Sequence, residues 1–336
     1  MPSRIRRLYK QVTTDILPGV LRKCGRRPYQ PTGRARGASD DWSMAVPFTY
    51  DVAPRNVRTG VVCHIFHDEL AEEIISCLSH AHLQADLFIS TDAEDKAQRI
   101  RAAANKWQNG STTIRMVENR GRDIAPKLVT FADVYDRYQL ILCLHSKRSD
   151  HYEFGGSWRE YLFKCLAGSP AIVQSIQEIF GLRPDVGMIA PPHHHGLGME
   201  CLHWGSNFRK SRRIGWKMNV DIEEGGIVDF PSGSMFWTRP EALKPLLRLK
   251  LALSDFDPEP CAVDGTLAHS IEHLFFFSCE SAGFKWLKVI NPDVASPEQL
   301  RVTIGEPSQI DQFIERHGFD LKSAQTDWHI ARRKPT

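Results

Sequence analysis

The 336-residue sequence has no apolar run long enough to cross a bilayer. Its longest uninterrupted stretches, such as Leu140–Leu144, fall far short of the roughly 20 residues a spanning helix requires. It has no CxxC pair: the eight cysteines, at 24, 63, 77, 143, 165, 201, 261 and 279, stand apart, several inside apolar runs such as VVCHIF and LILCL. Buried, reduced thiols look like this, so a cytosolic compartment is expected. The N-terminus lacks the continuous apolar segment and small-residue cleavage site of a secretory signal. No GxGxxG follows the first apolar run and no GxxxxGK[ST] occurs anywhere, which removes the main support for dinucleotide and P-loop sites. With 42% apolar and 25% charged residues, 23 Gly and 20 Pro, the composition also excludes a collagenous or wholly disordered chain.

The charge is unevenly placed. Residues 1–40 hold ten Lys/Arg against Asp15 and Asp40, a net of +8, while the remaining 296 residues carry 33 basic and 38 acidic side chains, a net of −5. Such a head on a mildly acidic body points to an anionic surface as its partner. Ile5, Leu8, Val12 and Ile16 recur at helical spacing among basic residues. They suit either a helix lying on an anionic membrane or an arm packed on its own body. The CGRRPYQPTGRARGAS stretch that follows reads as a linker. Aromatic residues do not interleave with this charge, so nucleic acid is not an expected partner.

From residue 61 the pattern becomes regular. VVCHIF (61–66), DLFIS (86–90), TIRMV (113–117) and QLILCL (139–144) are short and β-rich, and their ends are separated by 24, 27 and 27 residues. That spacing predicts consecutive βα units in a parallel sheet. Asp68, Asp92 and Asp123 are placed to cap the intervening helices. Ser157 with Glu160 predicts a capping box, Ser169-Pro170 a helix start, VGMIA (186–190) and SMFWT (234–238) further strands, and Asp264 the cap of a long helix closed by Gly283. Residues 191–226 show little periodicity and are expected to form a long functional loop. The fold class is α/β, a mostly parallel sheet flanked by helices. The expected division is a basic N-terminal helix and linker over 1–57, one main domain over 58–290 and a helical extension over 291–336.

In such a sheet the ligand crevice lies beyond the carboxyl ends of the strands. Asp92, the Asn119-Arg120-Gly121-Arg122-Asp123 run and His145-Ser146-Lys147-Arg148 stand there. Together Arg120, Arg122, Lys147 and Arg148, with donors from Asn119, Ser146 and His145, suit a diphosphate. Structural roles fit the same residues: Gly121 for a turn, Asp123 for a cap, and solvated arginines. His193-His194-His195 reads as a solvated or acceptor-facing loop, because adjacent histidines in extended chain seldom converge on one ion, and no metal is assigned.

The runs NRGRDIAP, LHSKRS, Trp158-Arg159-Glu160, IAPP, WGSN, FPSGSMFWTRPEAL and DGTLAH-IE resemble the rhamnan synthesis protein F family over residues 61–288. The resemblance implies a GT-A-like, Rossmann-type glycosyltransferase of bacterial cell-surface polysaccharide assembly. It would move a deoxyhexose, L-rhamnose from dTDP-L-rhamnose, onto a polyprenyl-linked glycan with inversion, at the cytoplasmic face of the inner membrane. LHSK stands where GT-A enzymes carry a DxD motif, which implies a site without metal or other cofactor, in which Lys147 and the arginines stabilise the departing diphosphate. Inverting transfer needs a carboxylate base. Asp264 occupies the position where such enzymes often place it, with Asp229 and Glu272 as weaker candidates. Gly233 and Ser234 would allow close approach of the acceptor, and Trp204 would offer a flat face to a sugar ring. A non-catalytic nucleotide-sugar or glycan-binding partner of an assembly complex remains the alternative.

Overall fold

The computed structural model describes residues 41–146, 155–224 and 228–317. Its strands are β1 (Ser43–Ala45), β2 (Thr59–His64), β3 (Ala85–Thr91), β4 (Thr112–Met116), β5 (Leu140–His145), β6 (Val186–Ala190), β7 (Phe236–Thr238), β8 (Lys285–Ile290) and β9 (Arg301–Val302). They form one sheet of order β4-β3-β2-β5-β7-β6-β8-β1-β9, in which β7 alone runs against its neighbours. The four expected strands are all present, paired parallel as β4-β3-β2-β5. The helices are α1 (Ala71–His80), α2 (Glu94–Ala104), α3 (Gly155–Ala167), α4 (Pro170–Leu182), α5 (Phe208–Lys217), α6 (Pro240–Leu247), α7 (Leu267–Glu272), α8 (Phe275–Ser281) and α9 (Ser308–His317).

Period-two alternation divides the core between the two sheet faces. Val61, Cys63, Leu142 and Leu144 face one layer with α1, α3, α4 and α9. Val62, Ile141 and Cys143 face the other with α6, α7 and α8. Both faces of β2, β3 and β5 are covered, which is why these strands read as near-continuous apolar runs, while the edge strand β4 is only partly buried. A register irregularity at Val186/Met188 puts these two residues of β6 on opposite faces. Strands β1 and β9 and helix α9 lie outside the expected 58–290 boundaries yet join the same sheet and core.

The seven cysteines among the described residues are unbridged, and burial pushes Cys63, Cys143 and Cys165 up to about 12. No helix among the described residues is long and apolar enough to cross a membrane. The expected N-terminal helix, Lys147 and Arg148 lie outside the described residues.

Several local expectations are corrected. Asp68 caps nothing; a single 3-10 turn precedes α1, and Asp68 pairs with Arg99. Ala93 stands at the start of α2 while Asp92 pairs with Lys96 at 2.7 Å. Helix α3 spans Gly155–Ala167, so Ser157 lies inside it rather than at the expected cap position. Ser169 does cap α4, its hydroxyl accepting the Ile172 N–H at 3.3 Å. The expected long helix after Asp264 is broken into α7 and α8 at His273–Leu274, and Thr266 is its cap. The 191–226 loop contains α5, whose inward face is only Ser211, Ile214 and Gly215. So few apolar positions leave no legible stripe.

Candidate functional site

The motifs separated in sequence meet beyond the ends of β2, β5 and β7. Segment 119–123 turns sharply at Gly121 (φ 64°), followed by Arg122, also left-handed at φ 55°. A Cβ on Gly121 would stand 2.6 Å from Phe256 Cγ and 2.8 Å from Ala125 Cβ. Gly121→Ala is therefore expected to cost roughly 2 to 4 kcal/mol, combining left-handed strain with overpacking, as measured by urea unfolding. A cost below about 0.5 kcal/mol would mean that the turn relaxes freely.

This turn sends its two arginines to different partners. Arg120 donates to Glu118 at 2.6 Å and to the Phe256 carbonyl at 2.9 Å. Arg122 donates from Nη1 to His269 Nε2 at 2.9 Å and lies 3.4 Å from Glu259. Arginine can only donate, so His269 Nε2 is the acceptor. The ring proton is on Nδ1, which donates to Thr266 Oγ1 at 2.7 Å. Burial and then the Arg122 charge hold His269 below the ordinary histidine range, consistent with that neutral tautomer.

Asp123 is buried and salt-bridged to Lys127, which is itself 1% exposed. Burial opposes the ionised carboxyl, but His145 at 4.0 Å and Lys127 outweigh it and hold Asp123 well below the usual carboxylate range. His145 Nε2 donates to the Gly233 carbonyl at 2.7 Å, and the Gly233 N–H donates to Glu272 at 3.0 Å. The Gly233 peptide is thus gripped at both ends by residues from β5 and α7. Gly233 (φ 85°) and Ser234 (φ 54°) form a left-handed turn leading into β7. Strained backbone of this kind concentrates at functional sites. Beside it, Ser146 Oγ accepts the His67 N–H at 2.9 Å, and His64, which burial lowers to about 4, shares a 3.0 Å hydrogen bond with Ser90.

Asp264 is exposed at the rim. Its carboxylate accepts from Asn207 Nδ2 at 2.6 Å and from the Ser206 N–H at 3.2 Å. Partial burial would raise its pKa, but these bonds, the Gly265 N–H and the His269 side chain leave it below the ordinary value. The WGSN run supplies this cradle: a Cβ on Gly205 (φ 49°) would stand 3.2 Å from Asp264 Oδ2. Asn207, His269 and Lys127 escaped sequence reading. WGSN and DGTLAH held the first two in view as motifs, whereas Lys127 offered only its i,i+4 spacing from Asp123.

Other expected site residues are placed elsewhere or otherwise engaged. Trp204 is 5% exposed and packs against Phe277, His273 and Phe208, so its face does not await a sugar. Asp229 is half-buried, 2.6 Å from Lys288 and 3.3 Å from His193; Lys288 also pairs with Asp41. The histidine run, expected to be solvated or acceptor-facing, is divided: His193 turns to Asp229, His194 is buried against Trp158 and Tyr161, and His195 is exposed. The Asn119 carbonyl accepts the Glu259 N–H.

Among the described residues, the donor set does not fit a divalent cation. Asp123 and Asp92 at the strand ends are each matched by a lysine, and no group of three or more His, Cys, Asp and Glu among the described residues is arranged to hold an ion.

The family model described as rhamnan synthesis protein F matches residues 46–284. Two curated relatives, each named "Uncharacterized protein WxcX", come from Xanthomonas campestris pv. campestris strains B100 and ATCC 33913. They are 31% identical to this chain over 226 residues, 67% of it and 32% of each relative. The chain therefore spans about a third of the length of those relatives. Among solved structures, the mannosyltransferase PcManGT from Pyrobaculum calidifontis, in complex with GDP-Man and Mn2+, aligns at a TM-score of 0.37 and 12% identity, over 80% of this chain and 64% of that one. Mouse xyloside xylosyltransferase 1, apo form, aligns at 0.29 and 9%, over 66% of this chain and 82% of that one. Likenesses of that size carry no argument about chemistry.

Proposed function

Since the chain belongs to the rhamnan synthesis protein F family, we propose that it is a glycosyltransferase of cell-surface polysaccharide assembly. It takes a deoxyhexose, L-rhamnose from dTDP-L-rhamnose, and passes it to a lipid-linked glycan with inversion at the anomeric carbon. The observation that carries this reading is the meeting of NRGRD, LHS, WGSN, FPSGS and DGTLAHSIE around one rim, bonded through their side chains and the Gly233 backbone.

In this reading Asp264 takes the proton of the acceptor hydroxyl as the sugar's anomeric centre becomes oxocarbenium-like. Its lowered pKa keeps it ionised at neutral pH. Arg122, with Lys147 and Arg148, which follow β5 in the sequence, meets the charge developing on the departing diphosphate. The Gly233–Ser234 turn, held by His145 and Glu272, presents backbone to the acceptor sugar. The protein works at the cytoplasmic face of the inner membrane, with its basic N-terminal residues on anionic lipid.

A thermal-shift panel of nucleotide-sugars tests the donor. Ligand binding to the native state at a hundredfold excess over Kd adds about 2.7 kcal/mol. A dTDP-sugar is expected to raise the unfolding midpoint, and Arg122→Ala to remove most of that shift without lowering the midpoint of the free protein by more than a few degrees. A shift with other nucleotides alone would reassign the donor. A shift without transfer in the presence of acceptor would favour the non-catalytic binding partner.

A further inference from the structure

Helix α5 carries FRKSRRIGWK, five Lys/Arg and no Asp or Glu. Its inner face is Ser211, Ile214 and Gly215, packed toward the core. Arg212 also turns back, lying over Trp216 at 5.0 Å and 3.9 Å from Asp221. Arg209, Lys210, Arg213 and Lys217 remain on the outside, and all four are exposed. At 3.6 residues per turn they fall within about 100° of arc, so they form one strip along the helix. Arg209, Arg213 and Lys217 make no ion pair with another described residue. The exposed acids nearest in sequence, Glu223 and Glu224, follow the helix rather than interleave with it.

This strip adjoins the candidate site. Lys210 Nζ donates to the Gly265 carbonyl, which ties the helix to the loop carrying Asp264. At the tip of that loop Val263 is 65% exposed beside exposed Ala262. An unpaired basic strip with an apolar tip at one end matches the surface of an anionic bilayer, where cations meet lipid phosphates and a small apolar side chain enters the headgroup layer.

We propose that the outer face of α5, together with Val263, docks on an anionic phospholipid surface. The docking holds the Asp264 rim at headgroup level. Its consequence for catalysis, the presentation of a lipid-linked acceptor to Asp264, rests on the proposed transfer activity; the docking itself does not.

The test is vesicle co-sedimentation of the full chain without sugar donor, so its outcome is independent of transfer. Phosphatidylcholine vesicles with and without phosphatidylglycerol are compared. The wild type is expected to bind only the anionic vesicles and to release them as salt rises. The combined variant Arg209→Ala, Arg213→Ala, Lys217→Ala is expected to lose partitioning on the order of a hundredfold, at roughly fivefold per cation. Val263→Asp is expected to lower it severalfold. Unchanged partitioning of the triple variant at an unchanged unfolding midpoint overturns the proposal, as does equal binding to neutral vesicles. Loss of binding to double-stranded DNA with vesicle binding intact also overturns it and reassigns the strip to nucleic acid. Should the triple variant not fold, Arg213→Ala and Val263→Asp are read singly, and the absence of an effect in both has the same force.

Discussion

Asp264→Asn is expected to lower kcat for sugar transfer roughly a thousandfold, within the 10² to 10⁴ that a positioned base contributes, while leaving donor binding unchanged. The substitution tests chemistry with little disturbance of shape. An asparagine oxygen still accepts from Asn207, and the contact with the Ser206 N–H is turned unfavourable, at about 1 kcal/mol. Because the carboxyl is held below its ordinary pKa by its hydrogen bonds, in spite of burial, the base is ionised from neutrality well into acid. Any acid limb of the rate near pH 5 to 6 should then survive in profiles corrected for Asp264 and belong to another group. Single-turnover rates and an unfolding curve separate the two roles of this residue. A variant that keeps more than about a tenth of the rate but unfolds more easily would show that Asp264 only holds the turn.

The second large effect is on stability. Lys127→Met is expected to cost roughly 3 to 5 kcal/mol, since it leaves the Asp123 carboxylate buried without its cation. For a domain of this size that lowers the unfolding midpoint by roughly 5 to 9 °C at pH 7. The double variant Asp123→Asn, Lys127→Met should recover most of the loss, because a buried pair replaced as a unit leaves no uncompensated charge. The pH dependence has a definite sign. Asp123 has a folded pKa well below its unfolded value of about 3.9, so its contribution is fully present above that value and is lost as pH falls toward the folded one. A single variant as stable as the wild type would show that His145 alone suffices to balance Asp123.

The outcome at particular residues shows where sequence reading has force. Strands β2, β3 and β5 are legible because each is buried on both faces and so leaves an apolar run with turn residues around it, whereas the edge strand β4, only partly buried, is legible from its β-rich residues and its spacing. Ser169-Pro170 was legible because a cap is a bond between a residue and its own near neighbours. Helix α5 was not, since three inward residues among five cations leave no periodic signal. Asp68 and Asp92 misled for a related reason. A short acid before a helix can cap it or reach a lysine or arginine nearby, and here Arg99 and Lys96 took them. Trp204 read as a sugar platform because flat faces look alike in sequence whether exposed or packed.

The sequence by itself determined the α/β class, the parallel half-sheet and the strand-end loops that bear charge, because periodicity and spacing record local geometry and burial. Only the tertiary structure decided which of those groups meet: that Arg122 points to His269, that His145 and Glu272 grip Gly233, and that Asn207 cradles Asp264. These partners lie from 39 to 147 residues apart. A hydrogen bond depends on direction and on separations near 3 Å, which are set by how helices and turns pack on the sheet and leave no periodic trace along the chain.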